Sequence, residues 1–426
     1  MVLEKSRLIL MIVWEKMMSK KCVPTIRFKS FFNHWSNTGL KEVKDVRDGT
    51  HSSPKYIDNG YPLVTSKNLS DSGLNLNDVS LISEQDYNEI NKRSKVEVGD
   101  ILLGLIGTIG KPVLVETDGF AIKNVGLIKN GGQIQNQFLL QYLKTNLFNK
   151  YIQIEMAGNT QKFLGLETLR STKIPVPSQE EQYAIGSLFR TLDDLLSSYK
   201  DNLVNYQSLK ATMLSKMFPK AGQTVPEIRL DGFEGEWEVQ SLKELASFSK
   251  GNGYTKSDLV NSGKEIILYG QLYTNYQTVI SMVNTFVLET RDKSVISKGG
   301  EVVVPASGES AEDISRASVI EKSGVIIGGD LNIIYPDENK VDSVFLALTI
   351  SNGSQQKELI KRAQGKSVVH LRNNDLEKVV LHYPSMEEQQ AIGACFSNLD
   401  NLINSHQEKI SQLEILKKKL LQDMFI

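Results

Sequence analysis

One stretch occurs twice in this chain of 426 residues, and it limits the possible folds more than any other feature. Pro177-Ser178-Gln179-Glu180-Glu181-Gln182-Tyr183-Ala184-Ile185-Gly186 returns as Pro384-Ser385-Met386-Glu387-Glu388-Gln389-Gln390-Ala391-Ile392-Gly393. The spacing of 207 residues holds without a gap as far as Met217-Phe218 and Met424-Phe425. In the first copy Ile185, Leu188, Leu192, Leu195, Tyr199, Leu203, Tyr206, Leu209, Met213 and Met217 step by three and four. Ile392, Cys395, Leu399, Leu402, His406, Ile410, Leu413, Leu416, Leu420 and Met424 repeat those steps. This periodicity predicts two long helices, each with one narrow seam of coiled-coil type. Ser178 with Glu181, and Ser385 with Glu388, fit the S-x-x-E capping box, with a proline just outside each helix. Such a helix spans ~60 Å, too long to hide against one small domain. Two equal seams can cover each other, and the globular segment before each helix lets them run antiparallel.

The repeat reaches beyond the helices. Val23-Pro24-Thr25-Ile26-Arg27-Phe28 matches Val225-Pro226-Glu227-Ile228-Arg229-Leu230, and Trp35 matches Trp237. Leu40-Lys41-Glu42-Val43 matches Leu242-Lys243-Glu244-Leu245. Residues 96–102 match 296–302, and Gly158 realigns with Gly365. A repeat fixes architecture, and here the unit is one domain plus one helix, used twice. Residues 47–95 and 249–295 do not align by eye. A common frame with a divergent interior suits one scaffold recognising two different things; drift after duplication is the alternative.

Each globular segment has the texture of strands and turns with short helices. Residues 95–103 read as strand, Gly-Asp turn and strand, matched by 299–304. Residues 137–143 and 343–348 read as short amphipathic helices, and 174–177 and 379–384 as terminal strands feeding the long helices. Phe218-Pro219-Lys220-Ala221-Gly222 breaks the first long helix. The expectation is an α+β protein with an internal pseudo-two-fold repeat. Its parts are a non-domain extension (1–22), a first domain (23–177), a helix (178–218), a linker (219–224), a second domain (225–384) and a second helix (385–426).

With 40% hydrophobic and 23% charged residues this is an ordinary soluble composition. A net charge of −1 means that any DNA-binding charge must be local or supplied by a partner. Two cysteines, Cys22 and Cys395, exclude a disulfide framework and fit a reducing, cytoplasmic setting, with Cys395 a core thiol on the seam. The apolar run 8–14 is shorter than the ~20 residues of a membrane helix and lacks a signal-peptide cleavage site. Residues 1–22 are expected to precede the functional start, with Met17 or Met18 as alternative initiators.

No catalytic constellation emerges. Gly365-Lys366-Ser367 resembles the end of a phosphate loop, but the glycine required five residues earlier is Ile360. Glu338-Asn339-Lys340 faintly echoes a metal-dependent nuclease, yet Tyr335-Pro336-Asp337 reads as a turn, and proline cannot donate to a ladder. The histidines show no ligand spacing, and no Asn-Pro-Pro-Tyr or Asp-Pro-Pro-Tyr methyltransferase loop exists.

Two divergent domains, each opening near an apolar-Pro-x-Ile-Arg-apolar stretch and alternating with helices that open Pro-Ser-x-Glu-Glu-Gln-x-Ala-Ile-Gly, resemble the specificity subunit of type I restriction–modification systems. The resemblance covers about residues 23–426. In the first domain, Asp48-Gly49-Thr50-His51-Ser52-Ser53-Pro54-Lys55-Tyr56 and residues 60–69 resemble a recurrent opening of the family's target-recognition domains. The second domain has Gly251-Asn252-Gly253-Tyr254-Thr255-Lys256 instead, so its membership rests on frame and helix. The resemblance implies a non-catalytic adaptor in which each domain reads one half of a split, asymmetric DNA target while the helices set the gap and dock two methyltransferase subunits. It further implies that S-adenosylmethionine, ATP and magnesium belong to those subunits and to motor–nuclease subunits, with no cofactor, metal or membrane contact for this chain.

Base reading needs donors and acceptors on exposed loops, with lysine or arginine on phosphates. The candidate loops of the first domain offer Lys55 and Tyr56, then Ser66, Lys67 and Asn68, then Thr108 and Lys111. Those of the second offer Tyr254 and Lys256, Gln271 and Tyr273, Ser307, and Lys366. Two other readings remain at this stage. One is a dumb-bell scaffold that holds two protein partners apart without binding DNA. The other is a fused enzyme whose catalytic part is missing, though neither length nor motifs leave room for it.

Overall fold

A computed structural model describes residues 23–156, 163–365 and 368–425. Residues 1–22 with Cys22, Gly158, Lys366 and Ser367 therefore lie outside the described residues. The chain divides into two compact units, Met1–Tyr199 with Lys409–Ile426, and Lys200–Glu408. Each holds one α+β domain, and each long helix contributes residues to both units.

In the first unit Val46–Asp48, Val125–Ile128, Ile101–Gly104 and Pro112–Leu114 form an antiparallel sheet in that order. A second sheet orders Ala121–Ile122, Tyr61–Val64, Ser80–Ile82 and Tyr56–Ile57, the first pair parallel. Ser36–Gly39 pairs with Lys173–Val176 and closes the domain. The second unit repeats this plan. Ala246–Lys250, Leu331–Pro336, Glu301–Pro305 and Ser318–Ile320 make the first sheet, extended by Val279–Ile280. Lys264–Ile267 lies between Ile326–Ile327 and Phe286–Val287 in the other, and Glu238–Ser241 pairs with Val380–Tyr383. The apolar runs Ile101-Leu102-Leu103 and Val302-Val303-Val304 are buried on both faces, as central strands must be.

Strand register aligns what the eye cannot. Val64 lies opposite Ile122, and Ile267 opposite Ile327. Gly49 N–H donates to the Val125 carbonyl and Gly251 N–H to that of Leu331, both at 2.9 Å. Thus Gly49 is equivalent to Gly251, Val125 to Leu331, and Ser66-Lys67 to Tyr269-Gly270. A Cβ at either Gly49 or Gly251 would collide with backbone carbonyl oxygen, so glycine is required at this crossing.

Two local expectations change. Residues 95–97 are not a strand. Instead the buried Asp100 carboxylate accepts from Glu97 N–H (2.8 Å), Asn130 N–H (2.7 Å) and Lys129 Nζ (2.6 Å), which holds the chain in a turn. The helices Asn136–Lys144 and Ser343–Ile350 are buried almost all round rather than amphipathic, because sheet and long helix cover opposite sides.

The long helices, Gln179–Lys216 and Met386–Asp423, have 38 residues each. Ser178 Oγ accepts from Glu181 N–H (3.3 Å) and Ser385 Oγ from Glu388 N–H (3.4 Å), the first half of the expected capping box. The second half is replaced. The Glu181 carboxylate grips Arg27 at 2.6 and 2.7 Å, and Glu388 grips Arg229 at 2.7 and 2.6 Å. Those bonds hold both guanidinium pKa values above the ordinary arginine value. Gln182 donates to the Pro177 carbonyl (3.0 Å) and accepts from Gln135 N–H (2.9 Å); Gln389 repeats this with Pro384 and Asp342. At Gly186 and Gly393 the helix passes so close to the domain that a Cβ would lie 3.1 Å from Gln137 and 3.4 Å from Val344. The duplicated signature is therefore a docking device.

Each domain is sealed by the end of the other domain's helix. In the first unit Phe425 meets Trp35, Phe138 and Phe189 at 6.3, 5.5 and 6.1 Å. In the second, Phe218 meets Trp237, Phe345 and Phe396 at 6.3, 5.9 and 6.2 Å. Ion pairs join the helices antiparallel within each unit, Asp193 with Lys417 in the first and Lys210 with Asp400 in the second.

Most of the seam lies where the three-and-four spacing places it, with Ile185, Leu192, Met217, Ile392, Leu399 and Met424 buried and most other positions half-buried, but four leucines depart from it. Leu195, Leu209, Leu402 and Leu416 are 42, 47, 41 and 45% exposed. Phe189, Leu196 and Phe396 are buried instead, and half-buried Lys210 and Lys417 occupy the seam. The domain contact, not the partner helix, sets the phase of the first turns. Cys395 consequently sits half-buried beside the core residue Phe396, and burial raises its thiol pKa.

Candidate nucleic-acid interface

In each unit several chain crossings meet at one end of the sheets. In the first, Thr50 N–H donates to the Ile122 carbonyl (3.0 Å), and Asn124 N–H to that of Thr50 (3.1 Å). Asn124 takes φ +56°, a left-handed conformation that asparagine tolerates better than most residues. Its Oδ1 lies 2.8 Å from His51 Nδ1, while His51 Nε2 donates to Asp48 at 2.8 Å. Ser66 Oγ donates to the Asn124 carbonyl (3.2 Å), and Lys123 Nζ to Ser53 Oγ (2.6 Å). The loop after Ile101–Gly104 closes over this knot; Gly107 and Gly110 turn it with φ of +81° and +73°.

The second unit ties an equivalent knot. Asn252 N–H donates to the Ile327 carbonyl (3.2 Å), Gly329 N–H to Gly253 (2.6 Å), and Ala306 N–H to Asp330 (2.7 Å). Asp330, with φ +58°, stands where the first unit has Asn124.

Around these knots Lys55, Tyr56, Lys67, Thr108 and Lys256 are exposed. Lys111 is partly exposed and bonded to Asp71 at 2.6 and 2.8 Å. Tyr273 is half-buried, its pKa raised by burial and then by Tyr269, Glu309 and Asp313. Five other expected contact residues serve the fold. Ser66 is buried as described, and buried Asn68 Oδ1 accepts from Thr65 N–H (2.9 Å) while its Nδ2 donates to Asp78 (2.7 Å). Gln271 repeats the role of Asn68, accepting from Leu268 N–H (2.8 Å) and donating to Thr285 (2.7 Å). Tyr254 is buried beneath Arg291, whose guanidinium lies 4.3 Å from the ring centroid, and Arg291 N–H donates to its hydroxyl at 2.8 Å. Ser307 is buried in a strand pair with His370. Short polar side chains in turns satisfy their own backbone first. Lys366 lies outside the described residues. His51, Lys123 and Asn124 also sit at the knot without having been singled out, although His51 stands within the quoted Asp48–Tyr56 sequence.

The exposed lysines can neutralise phosphates, and the hydroxyls beside them can hydrogen-bond DNA. Among the described residues no group of three or more His, Cys, Asp or Glu could hold a metal ion. Nor is any helix among them long and apolar enough to cross a membrane. The Asp337–Lys340 segment is a turn, closed by Lys340 N–H on the Asp337 carbonyl (2.8 Å).

Two copies of one α+β domain, each docked on the start of one long helix and sealed by the end of the other, define a duplicated-domain class. The profile described as type I restriction modification DNA specificity domain matches residues 33–205 and 234–415. The chain belongs to that family. It is 22% identical over 343 residues to the type I restriction enzyme MjaVIII specificity subunit of Methanocaldococcus jannaschii, covering 78% of this chain and 79% of that one. It is 21% identical over 417 residues to the MjaIX specificity subunit of the same organism, covering 91% of each. In fold it is similar to the S subunit of a type I restriction–modification system from M. genitalium, with TM-score 0.60, 14% identity, and coverage of 95% of this chain and 99% of that one.

Proposed function

We propose that this chain is the DNA-specificity subunit of a type I restriction–modification complex, each domain reading one half of a split, asymmetric target. The observation that carries this reading is the pair of register-equivalent knots. They share backbone connections, including the Gly49 and Gly251 crossings, but differ in what they present, exposed Lys67 against Gly270 beside half-buried Tyr269. A conserved frame with exchanged tips suits two readers of different sequences. The chain itself is not an enzyme. S-adenosylmethionine belongs to two methyltransferase subunits, and ATP and magnesium to motor–nuclease subunits, in the cytoplasm. Exposed Leu195, Leu209, Leu402 and Leu416 give the helices apolar surface for docking the methyltransferases.

The test is to assemble the chain with its methyltransferase and map the methylated adenines. A split target is expected. Exchanging residues 23–175 for another recognition domain then changes one half and leaves the other intact. Absence of sequence-preferring DNA binding, even with partners present, favours the dumb-bell scaffold; a change in both halves defeats independent reading.

A further inference from the structure

The second unit contains a half-open cavity of about 230 Å³ beside the first long helix, lined by Lys210, Tyr276, Thr278, Arg316, Ser351 and neighbours. The first unit shows what this place requires. Strand register puts Val113 opposite Leu102 and Ser318 opposite Val303, the counterpart of Leu102, which makes Arg316 the counterpart of Lys111. Phe138 and Phe345 pack alike on Trp35 and Trp237, which makes Ser351 the counterpart of Lys144. In the first unit Lys111 is neutralised by Asp71 at 2.6 and 2.8 Å. Lys144 is half-buried and feels the charges of Lys417, Asp193 and Asp71, so that place is filled from within.

In the second unit the helix ion pair is kept as Lys210 with Asp400, and Thr278 Oγ1 also donates to Asp400 (3.4 Å). The other two components are gone. Ser351 leaves open the room that Lys144 takes up, and its hydroxyl is bonded to Tyr276 (3.1 Å) and Ala317 (2.8 Å). Arg316 lies over the Tyr276 ring at 5.6 Å, and among the described residues no carboxylate pairs with it. Arg316 lines the cavity of about 230 Å³, where Lys210 is already neutralised by Asp400, so Arg316 is the cation left over. Arg316 also stands on the connection between Glu301–Pro305 and Ser318–Ile320, the connection that carries Ser307 at the knot.

We propose that this cavity binds one backbone phosphate of the DNA duplex, with Arg316 supplying the charge that Asp71 neutralises in the other unit. This rests on the DNA-reading function proposed above. The phosphate fixes the second domain's register on its half-site and carries no base information.

The experiment measures affinity of the full chain, assembled with its methyltransferase, for its target against salt concentration. Arg316→Gln is expected to make the log–log slope shallower by about 0.9, so that the affinity lost between 50 and 200 mM salt is ~3.5-fold smaller. Arg316→Lys, which keeps the charge and guards against a folding defect in the glutamine variant, is expected to keep the wild-type slope. A neutral methylphosphonate at one position of the second half-site should weaken wild-type binding and cost R316Q nothing more. If every methylphosphonate costs both proteins alike, or R316K loses as much as R316Q, the phosphate site is overturned. Stabilisation of the wild type by inorganic phosphate, with identical methylphosphonate profiles, assigns the cavity to free anions and also overturns the duplex contact. A wild type without sequence preference defeats the specificity reading itself, an outcome distinct from all of these.

Discussion

The two units agree closely where they hold a helix and differ where they face outward. Arg27 on Glu181 and Arg229 on Glu388 have the same bidentate geometry, and Gln182 and Gln389 repeat each other bond for bond. At the knots, by contrast, Asn124 is replaced by Asp330 and Lys67 by Gly270, while the backbone path is kept. Agreement thus marks the parts that hold the helices, and difference the knots proposed to read DNA. A few interior differences interrupt that rule. Trp35 donates to Glu181 at 3.1 Å, whereas the buried Trp237 indole N–H has no partner among the described residues. Lys44, buried in the first unit, has Ala246 as its counterpart in the second.

The heaviest blow to the comparison should come from the sealing phenylalanines. Phe425→Ala is expected to cost about 3–5 kcal/mol, lost from the first unit alone, and Phe218→Ala the same from the second. Hydrogen exchange resolved by unit checks this; protection lost from the wrong unit would break the exchange of helix ends.

Next is a difference in pH response. Burial lowers the Lys44 pKa to about 8, against the nearby Asp100 charge. Because the unfolded chain keeps that proton up to about 10.4, it binds more protons than the fold between these values. Stability of the first unit therefore rises as pH increases through this window, by up to about 3 kcal/mol. The second unit has no such contribution at Ala246. Denaturant unfolding at pH 7.5 and 10 measures it, and Lys44→Met should remove it.

A smaller effect separates the tryptophans. Trp35→Phe gives up a bond to a buried carboxylate and should cost about 1.5–3 kcal/mol. Trp237→Phe removes an unpartnered donor and should be neutral or slightly stabilising. Equal costs would mean that the indole hydrogen bond does not distinguish the units. The smallest effect is at the tips. Lys67→Gln should weaken DNA binding and flatten the salt slope by about 0.9, so that the affinity lost between 50 and 200 mM salt is ~3.5-fold smaller. Introducing lysine at Gly270 should steepen it by the same amount.

The repeat, the long helices and the closing strands were legible because they rest on periodicity and on apolar runs with no other use. Most of the seam was legible too, but not the exposure of Leu195, Leu209, Leu402 and Leu416. Counting from Ile185 assumes that the partner helix governs every turn, but Phe189 and Phe396 answer to the domains. The equivalence of the two interiors was hidden because loops absorb length between strands, so the offset changes from one strand to the next. At the candidate interface the exposed lysines were readable as charge in loops. That Ser66, Asn68, Tyr254, Gln271 and Ser307 are engaged within the fold was not readable, since a polar side chain in a turn bonds its own backbone as readily as a ligand.

The seal on the first domain also has a consequence in time. Its last aromatic, Phe425, leaves the ribosome roughly 200 residues after the rest of its cluster, about 10–40 s later at ordinary rates of synthesis. The second domain meets its own seal, Phe218, before its first strand is made. The domain translated first is therefore the one that finishes last. A lesion that removes Phe425 would be felt in the domain at the beginning of the chain.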